Sequence, residues 1–216
     1  VSLRHGVHQR GAERAPGAAG IGSAARLGNT ARMLELNRET LASPLGKIVL
    51  LSDRSGHVRA LDWFDCRERM HDLLDRHYGR GGWAVSAAAE PASSALQALR
   101  AYFGGALDAL DGLHWSTAGS PFQRQVWAAL CSIPAGQTQG YGELAERIGQ
   151  PGKARAIGLA VGANPISLIL PCHRVVGSGG QLTGYAGGIE RKRWLLEHEG
   201  VLLRLPSGAS GRATRL

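Results

Sequence analysis

Cysteine is scarce in this chain, with three in 216 residues (Cys66, Cys131, Cys172) and no CxxC pair. So sparse and odd a set excludes a disulfide framework and a cysteine-built zinc site, and it fits a reducing, cytoplasmic compartment. No uninterrupted apolar stretch approaches the length of a membrane-spanning helix, so no membrane partner is expected. The first 32 residues lack the continuous apolar core of a secretory signal. The eight histidines are scattered, two of them (His5, His8) in that same segment, so neither a metal nor a cofactor is expected.

What is abundant is positive charge, at a net +8. Its distribution weakens any nucleic-acid reading drawn from the total. Residues 1–32 hold five arginines and one glutamate, and 204–216 hold three arginines and no acid. Both ends are Gly-, Ala- and Arg-rich without a helical apolar stripe, and both read as disordered, with Met33 an alternative beginning. Between them the charges nearly cancel. Residues 33–119 are slightly acidic and 120–203 slightly basic.

Folding signals start near Ser43. "GKIVLLSDRSGHVRALDWF" reads as two strands around a turn at 53–56. "CRERMHDLLDRHYG" and "SSALQALRAYFGG" read as helices closed by Gly79 and Gly104, with a Gly- and Ala-rich loop at 79–92 between them. This predicts a small α/β unit over 43–110. A second unit, over 119–203, is mainly helical. Ser120 caps a helix with Pro121 at its first position and Gln123 completing a capping box, and Phe122, Val126, Trp127 and Leu130 form its buried stripe. "YGELAERIG", the turn "QPG" and "KARAIGLAVGAN" then make a helix-turn-helix pattern.

On a helical wheel of the second of these helices, Ile157, Val161, Ala154, Ala160 and Ala156 face inward. Outward lie Arg155, Gly158, Leu159 and Gly162, one long cation among glycines. Glycine costs roughly 1 kcal/mol against alanine in a helix. Either the helix packs tightly against another, or something external approaches its backbone, such as a DNA minor groove about 6 Å wide. In "IERKRWLLEHEG" Glu199 falls between Leu195 and Leu196 on an apolar side and requires a partner. Lys192 would be a structural partner and His173 a chemical one. The latter gives a Cys172–His173–Glu199 set in which the acid orients the imidazole and the imidazole deprotonates the thiol. The cysteine itself follows "ISLIL" (166–170), which reads as a strand. Cys66 and Cys131 read as packing residues.

The stretch from "GSPFQRQVWAAL" through "PCHRVVGSGG" to "LLEHEG" closely resembles the O6-alkylguanine-DNA alkyltransferases, near-continuously over 119–202 and more weakly from "SPLGKIVLL" onward. The resemblance implies a small N-terminal α/β domain of ribonuclease-H-like shape and a C-terminal helix-turn-helix domain. It implies a monomer that binds duplex DNA carrying alkylated guanine through the minor groove and flips the damaged base out. The alkyl group passes irreversibly to the cysteine, and the resemblance leaves open whether alkylthymine is also accepted. Carried onto this chain, Cys172 is the acceptor, His173 relays its proton through a water, and Glu199 completes the relay. Asn164 braces the turn holding the active-site loop. Tyr141 helps swing the nucleotide out and protonates the leaving guanine. Tyr185 and Ala186 line the base pocket, Arg155 fills the vacated stack, and Gly158 and Gly162 let the DNA approach. The rivals are a non-catalytic damage-binding protein, which would lack the cysteine, a helix-turn-helix transcription factor, and a Cys–His hydrolase with repeated turnover.

Overall fold

The computed structural model describes residues 33–87 and 92–202. The expectations for 1–32 and 204–216 lie outside the described residues. Among those described, no helix is long and apolar enough to cross a membrane.

The first half builds a four-stranded sheet from β1 (Leu34–Ser43), β2 (Gly46–Asp53), β3 (Val58–Trp63) and β4 (Trp83–Ala87), in the order β3-β2-β1-β4. β1–β2 and β2–β3 are antiparallel, and β4 joins β1 in parallel. The run "IVLL" in β2 is apolar at every position because both faces of the sheet are covered. Ile48 and Leu50 face one core, and Val49 and Leu51 face another that includes Leu36, Met70 and Leu74. Helix α1 (Arg67–Tyr78) covers the second face, and α2 (Ser94–Phe103), N-capped by the Ser93 hydroxyl, contributes to the first.

Two strands go beyond the sequence expectation. β1 begins well before Ser43, and β4 occupies part of the predicted loop at 79–92. Their apolar alternation is masked for different reasons. Only Leu36 and Glu39 of β1 are buried, the latter because its carboxylate accepts from Ser93 N at 2.8 Å, while β4 is an edge strand exposed over most of its length.

The second half is helical, with α3 (Pro121–Leu130), α4 (Tyr141–Arg147), α5 (Ala154–Gly162) and α6 (Ile189–His198). The capping box at Ser120 and Gln123 is formed. Val126, Trp127 and Leu130 are buried, whereas Phe122 is only half-buried. α4 and α5 form the helix-turn-helix, with Gly149 and Gly152 at positive φ in the turn. Trp127 locks α3 onto α5 by donating from Nε1 to the carbonyl of Ala160 at 2.9 Å. A short parallel pair, β5 (Gln139–Gly140) with β6 (Val175–Val176), ties the entry to α4 to the segment after Cys172.

The first core is continuous across both halves and includes Cys172. β3 is an edge strand, and its outward groups at Val58 and Leu61 are taken. Val58 pairs with 114–116, while Leu61 N donates to Pro165 O (3.0 Å) and Leu61 O accepts from Ser167 N (2.8 Å). The loop ahead of the cysteine is thus fastened to the sheet edge.

Candidate active site

The segment "ISLIL" is not a strand. Leu168 is 1% exposed yet takes a left-handed backbone, with φ of 70°. For a γ-branched side chain this costs roughly 1–3 kcal/mol. The turn is over-determined by its surroundings. Leu170 N donates to Ile166 O, the β3 edge holds 165–167, and Asn164 spans the whole loop. Asn164 Oδ1 accepts from Ile166 N (2.9 Å), and Nδ2 donates to Leu170 O (2.8 Å) and to Cys172 Sγ (3.1 Å). Alternation along a strand therefore does not govern Cys172 and His173. Both lie in a single 3₁₀ turn, Cys172–Arg174, entered through Pro171.

Cys172 is 7% exposed, and burial pushes its thiol up. The Asn164 hydrogen bond and the charges of Arg69 and Lys192 pull it down, and Asp62 adds to the rise. The resting group is a thiol that needs a base. His173 is fully buried, which pushes its pKa down and keeps it neutral, with Arg174 and Lys192 acting the same way against Glu199. Its Nε2 lies 2.8 Å from Glu199 Oε1. Burial would raise the Glu199 carboxyl, but hydrogen bonds and charge from His173 and Arg174 outweigh it and hold it at about 2. An ionised acceptor selects the Nε2–H tautomer, so Nδ1 is the free lone pair of the ring. Nδ1 is buried without a hydrogen-bond partner among the described residues.

Lys192 is not the partner of Glu199. It is fully buried and donates to the carbonyls of Val175 (2.6 Å) and Thr183 (2.8 Å), with burial pulling its ammonium down to about 8. Glu199 instead takes Arg174 Nε and Nη2, both at 2.9 Å, and the Tyr102 hydroxyl at 2.8 Å. Sequence reasoning missed both residues. Arg174 could have been found as a cation in an otherwise apolar stretch, whereas Tyr102 reads as one more apolar position of α2.

The thiol faces a pocket of about 270 Å³ lined by Tyr141, Val161, Ser167, Tyr185, Ala186 and Arg69, among others. Burial raises the pKa of both tyrosines, and the Tyr185 hydroxyl is without a partner among the described residues. Arg69 comes from α1. It pairs with the buried Asp62 at 2.6 Å and donates to the carbonyls of Gly162 and Asn164, both at 2.9 Å, so it closes the C-terminal end of α5. A larger space lies beside it, a groove of about 900 Å³ along α5, lined by Arg155, Leu159 and the Ser178–Gly180 turn. Tyr141 and Gly158 line both spaces.

On α5 the inward set is met in part. Ile157, Ala160 and Val161 are buried, but Ala154 and Ala156 are only half-buried and Ala154 lines the outer groove. Arg155, Leu159 and Gly162 are exposed and Gly158 is half-buried. The glycines are not explained by packing. A Cβ on Gly162 would meet nothing within 4 Å, and one on Gly158 would make only ordinary contact, at 3.7 Å, with the Tyr141 ring. The packing reading of this face is therefore overturned. Of the spare cysteines, Cys66 is half-buried against the core, whereas Cys131 is exposed as a residue while its thiol is part-buried against the carbonyls of Trp127 and Ile169.

Residues 121–201 match the family model for the DNA-binding domain of 6-O-methylguanine DNA methyltransferase. The methylated-DNA–protein-cysteine methyltransferase of Shigella flexneri is 50% identical over 171 residues, covering 79% of this chain and 99% of that protein. The chain belongs to the methylated-DNA–protein-cysteine methyltransferase family. The Mycobacterium bovis member is 44% identical over 164 residues, covering 76% of this chain and 92% of that one. Among solved structures, OGT of Mycobacterium tuberculosis in complex with DNA is 40% identical. It matches with a TM-score of 0.62 over 77% of this chain and 93% of its own. The O6-methylguanine-DNA methyltransferase of the archaeon Pyrococcus kodakaraensis is 27% identical with a TM-score of 0.52, covering 78% of this chain and all of its own. Tyr102, Arg69 and Asp62 lie outside the matched DNA-binding segment, so residues of the first half complete the surroundings of the thiol and the hydrogen bonds on Glu199.

Proposed function

We propose that this protein repairs alkylated DNA by direct reversal, moving the alkyl group of an O6-alkylguanine onto Cys172. The observation that carries this reading is the pair of adjoining spaces that share Tyr141 and Gly158 in their walls. A long groove follows an α5 face that is slim without a packing reason, and a base-accommodating pocket behind Tyr141 and Gly158 ends on Cys172 Sγ.

Duplex DNA lies in the groove with α5 in its minor groove, and Arg155 enters the stack as the alkylated base leaves it. Tyr141 guides the nucleotide, and Tyr185 with the Ala186 backbone holds the base. The Cys172 proton passes through a water to His173 Nδ1, and the imidazolium is stabilised by the ionised Glu199. Sγ then attacks the alkyl carbon. The S–C bond forms as the C–O bond breaks, and the electron pair stays on the guanine, which takes a proton from Tyr141. Tyr141 is restored from the imidazolium through water. A thioether has no acidic leaving group and nothing in the pocket hydrolyses it, so each chain acts once. The reaction takes place in the cytoplasm, on a monomer.

Intact mass after incubation with an alkylguanine duplex tests the reading. It should rise by one alkyl group per chain, on the peptide containing Cys172, and then stop. Turnover beyond one equivalent, or tight binding without mass change, overturns it.

A further inference from the structure

Glu199 Oε1 receives three donors at once, His173 Nε2 at 2.8 Å, Arg174 Nη2 at 2.9 Å and the Tyr102 hydroxyl at 2.8 Å. Oε2 receives only Arg174 Nε, at 2.9 Å. One carboxylate oxygen offers about two lone-pair directions. The phenol and the imidazole therefore compete for the same atom.

Tyr102 is fully buried near the end of α2 and lies 97 residues from its acceptor in sequence. Its ring meets Phe103 and His198 edge-on, with centroids 5.3 Å away in each case, and His198 Nε2 donates to its carbonyl at 2.8 Å. The side chain has no room to swing away from Glu199. Burial, reinforced by the Glu199 charge, raises its pKa far above the ordinary phenol value, so it stays a donor at every working pH.

We propose that Tyr102 is a positioning residue that tunes the proton relay from the first half of the chain. By sharing Oε1 it weakens the Glu199–His173 hydrogen bond and lowers the proton affinity of His173 Nδ1. This rests on the role given to the relay in the proposed function. It makes that role a set point rather than a bare Cys–His–Glu chain, because a donor outside the DNA-binding segment limits how basic the imidazole becomes. A relay of limited basicity keeps the single-use thiol protonated against stray electrophiles.

The other charged and titratable groups near the relay act differently. Arg174 and Lys192 disfavour the imidazolium through their charge. Asp62 and Arg69 act on the thiol with opposite sign, and Tyr141 and Tyr185 stand in its pocket. His198 contacts Tyr102, not the carboxylate. Among the described residues, only Tyr102 and Arg174 share Oε1 with His173.

The test uses the full chain. The His173 ring is titrated by NMR, and Cys172 alkylation by a small haloacetamide is followed against pH. Tyr102→Phe removes one hydroxyl at constant shape, and the His173 pKa should rise by roughly half a unit to one unit. The thiol should react about threefold to tenfold faster at neutral pH, on the same conversion. Placing 3,5-difluorotyrosine at 102 makes the phenol a stronger donor and should shift both readouts the opposite way. That variant keeps the buried hydrogen bond, so it decides the matter even if Tyr102→Phe folds poorly. Opposed shifts support the proposal. Slowing by one factor at every pH, or no shift in either variant, overturns it. The haloacetamide reads the relay without DNA, so failure of the wild type on alkylguanine would count against the proposed function alone.

Discussion

Asn164 Nδ2 stands 3.1 Å from Cys172 Sγ while its other bonds hold both ends of the turn between them, at Ile166 N and Leu170 O. One amide therefore sets the backbone that aims the thiol and also donates to the sulfur, where it favours the thiolate. The left-handed Leu168 lies within the bracket it makes. Replacing Asn164 by Ala takes the partner of the buried Ile166 amide, at about 1–3 kcal/mol, whereas the Leu170 carbonyl keeps the Cys172 amide at 2.7 Å. A lowered melting temperature is expected, together with slower haloacetamide modification of Cys172. If the melt falls and thiol reactivity is unchanged, the contact to Sγ has no chemical role.

Glu199 links chemistry to acid stability. Its folded pKa of about 2 lies below the ordinary 4.5, so its contribution is present above pH 4.5 and is lost as pH falls from there through about 2. Glu199→Gln should flatten the stability-versus-pH curve in that window. It also leaves the Arg174 charge buried without its counter-ion, which costs roughly 3–5 kcal/mol. At neutral pH the variant thiol should react more slowly. Lys192→Ala should leave the relay's hydrogen bonds intact, because Lys192 binds Val175 and Thr183 instead.

Gly162→Ala separates folding from DNA approach. The added methyl meets nothing within 4 Å in the free protein, so the fold should gain up to about 1 kcal/mol from helix propensity. Single-turnover repair of a duplex substrate should nonetheless slow, while reaction with free alkylguanine base should not. Equal rates on the duplex would mean that nothing approaches this face.

Arg155→Ala tests base extrusion. Unstacking a base costs a few kcal/mol, and an inserted guanidinium offsets part of that cost. Duplex repair should fall severely with little change on the free base. Arg155→Lys should rescue poorly, since an ammonium lacks the planar stack and the fork of donors. A uniform loss on both substrates would place Arg155 in the fold instead.

Residue pattern alone determined the helices of the second half and the outward-facing residues of α5, and it placed Glu199 on an apolar side in need of a partner, either Lys192 or His173. These signals are local, consisting of a capping box, glycine spacing around one arginine, and a carboxylate between two leucines. Tertiary structure decided the rest, because the deciding contacts join residues far apart in the chain. β1 and β4 carry too little apolar alternation to be seen without their neighbours. "ISLIL" has the composition of a strand, yet the β3 edge and Asn164 bend it into a turn no local propensity favours. The partner of Glu199 could not be read from α6, where Lys192 is the nearest cation by periodicity. Arg174 reaches it across a 3₁₀ turn and Tyr102 from the other half of the chain, because a shared core brings both to one buried oxygen.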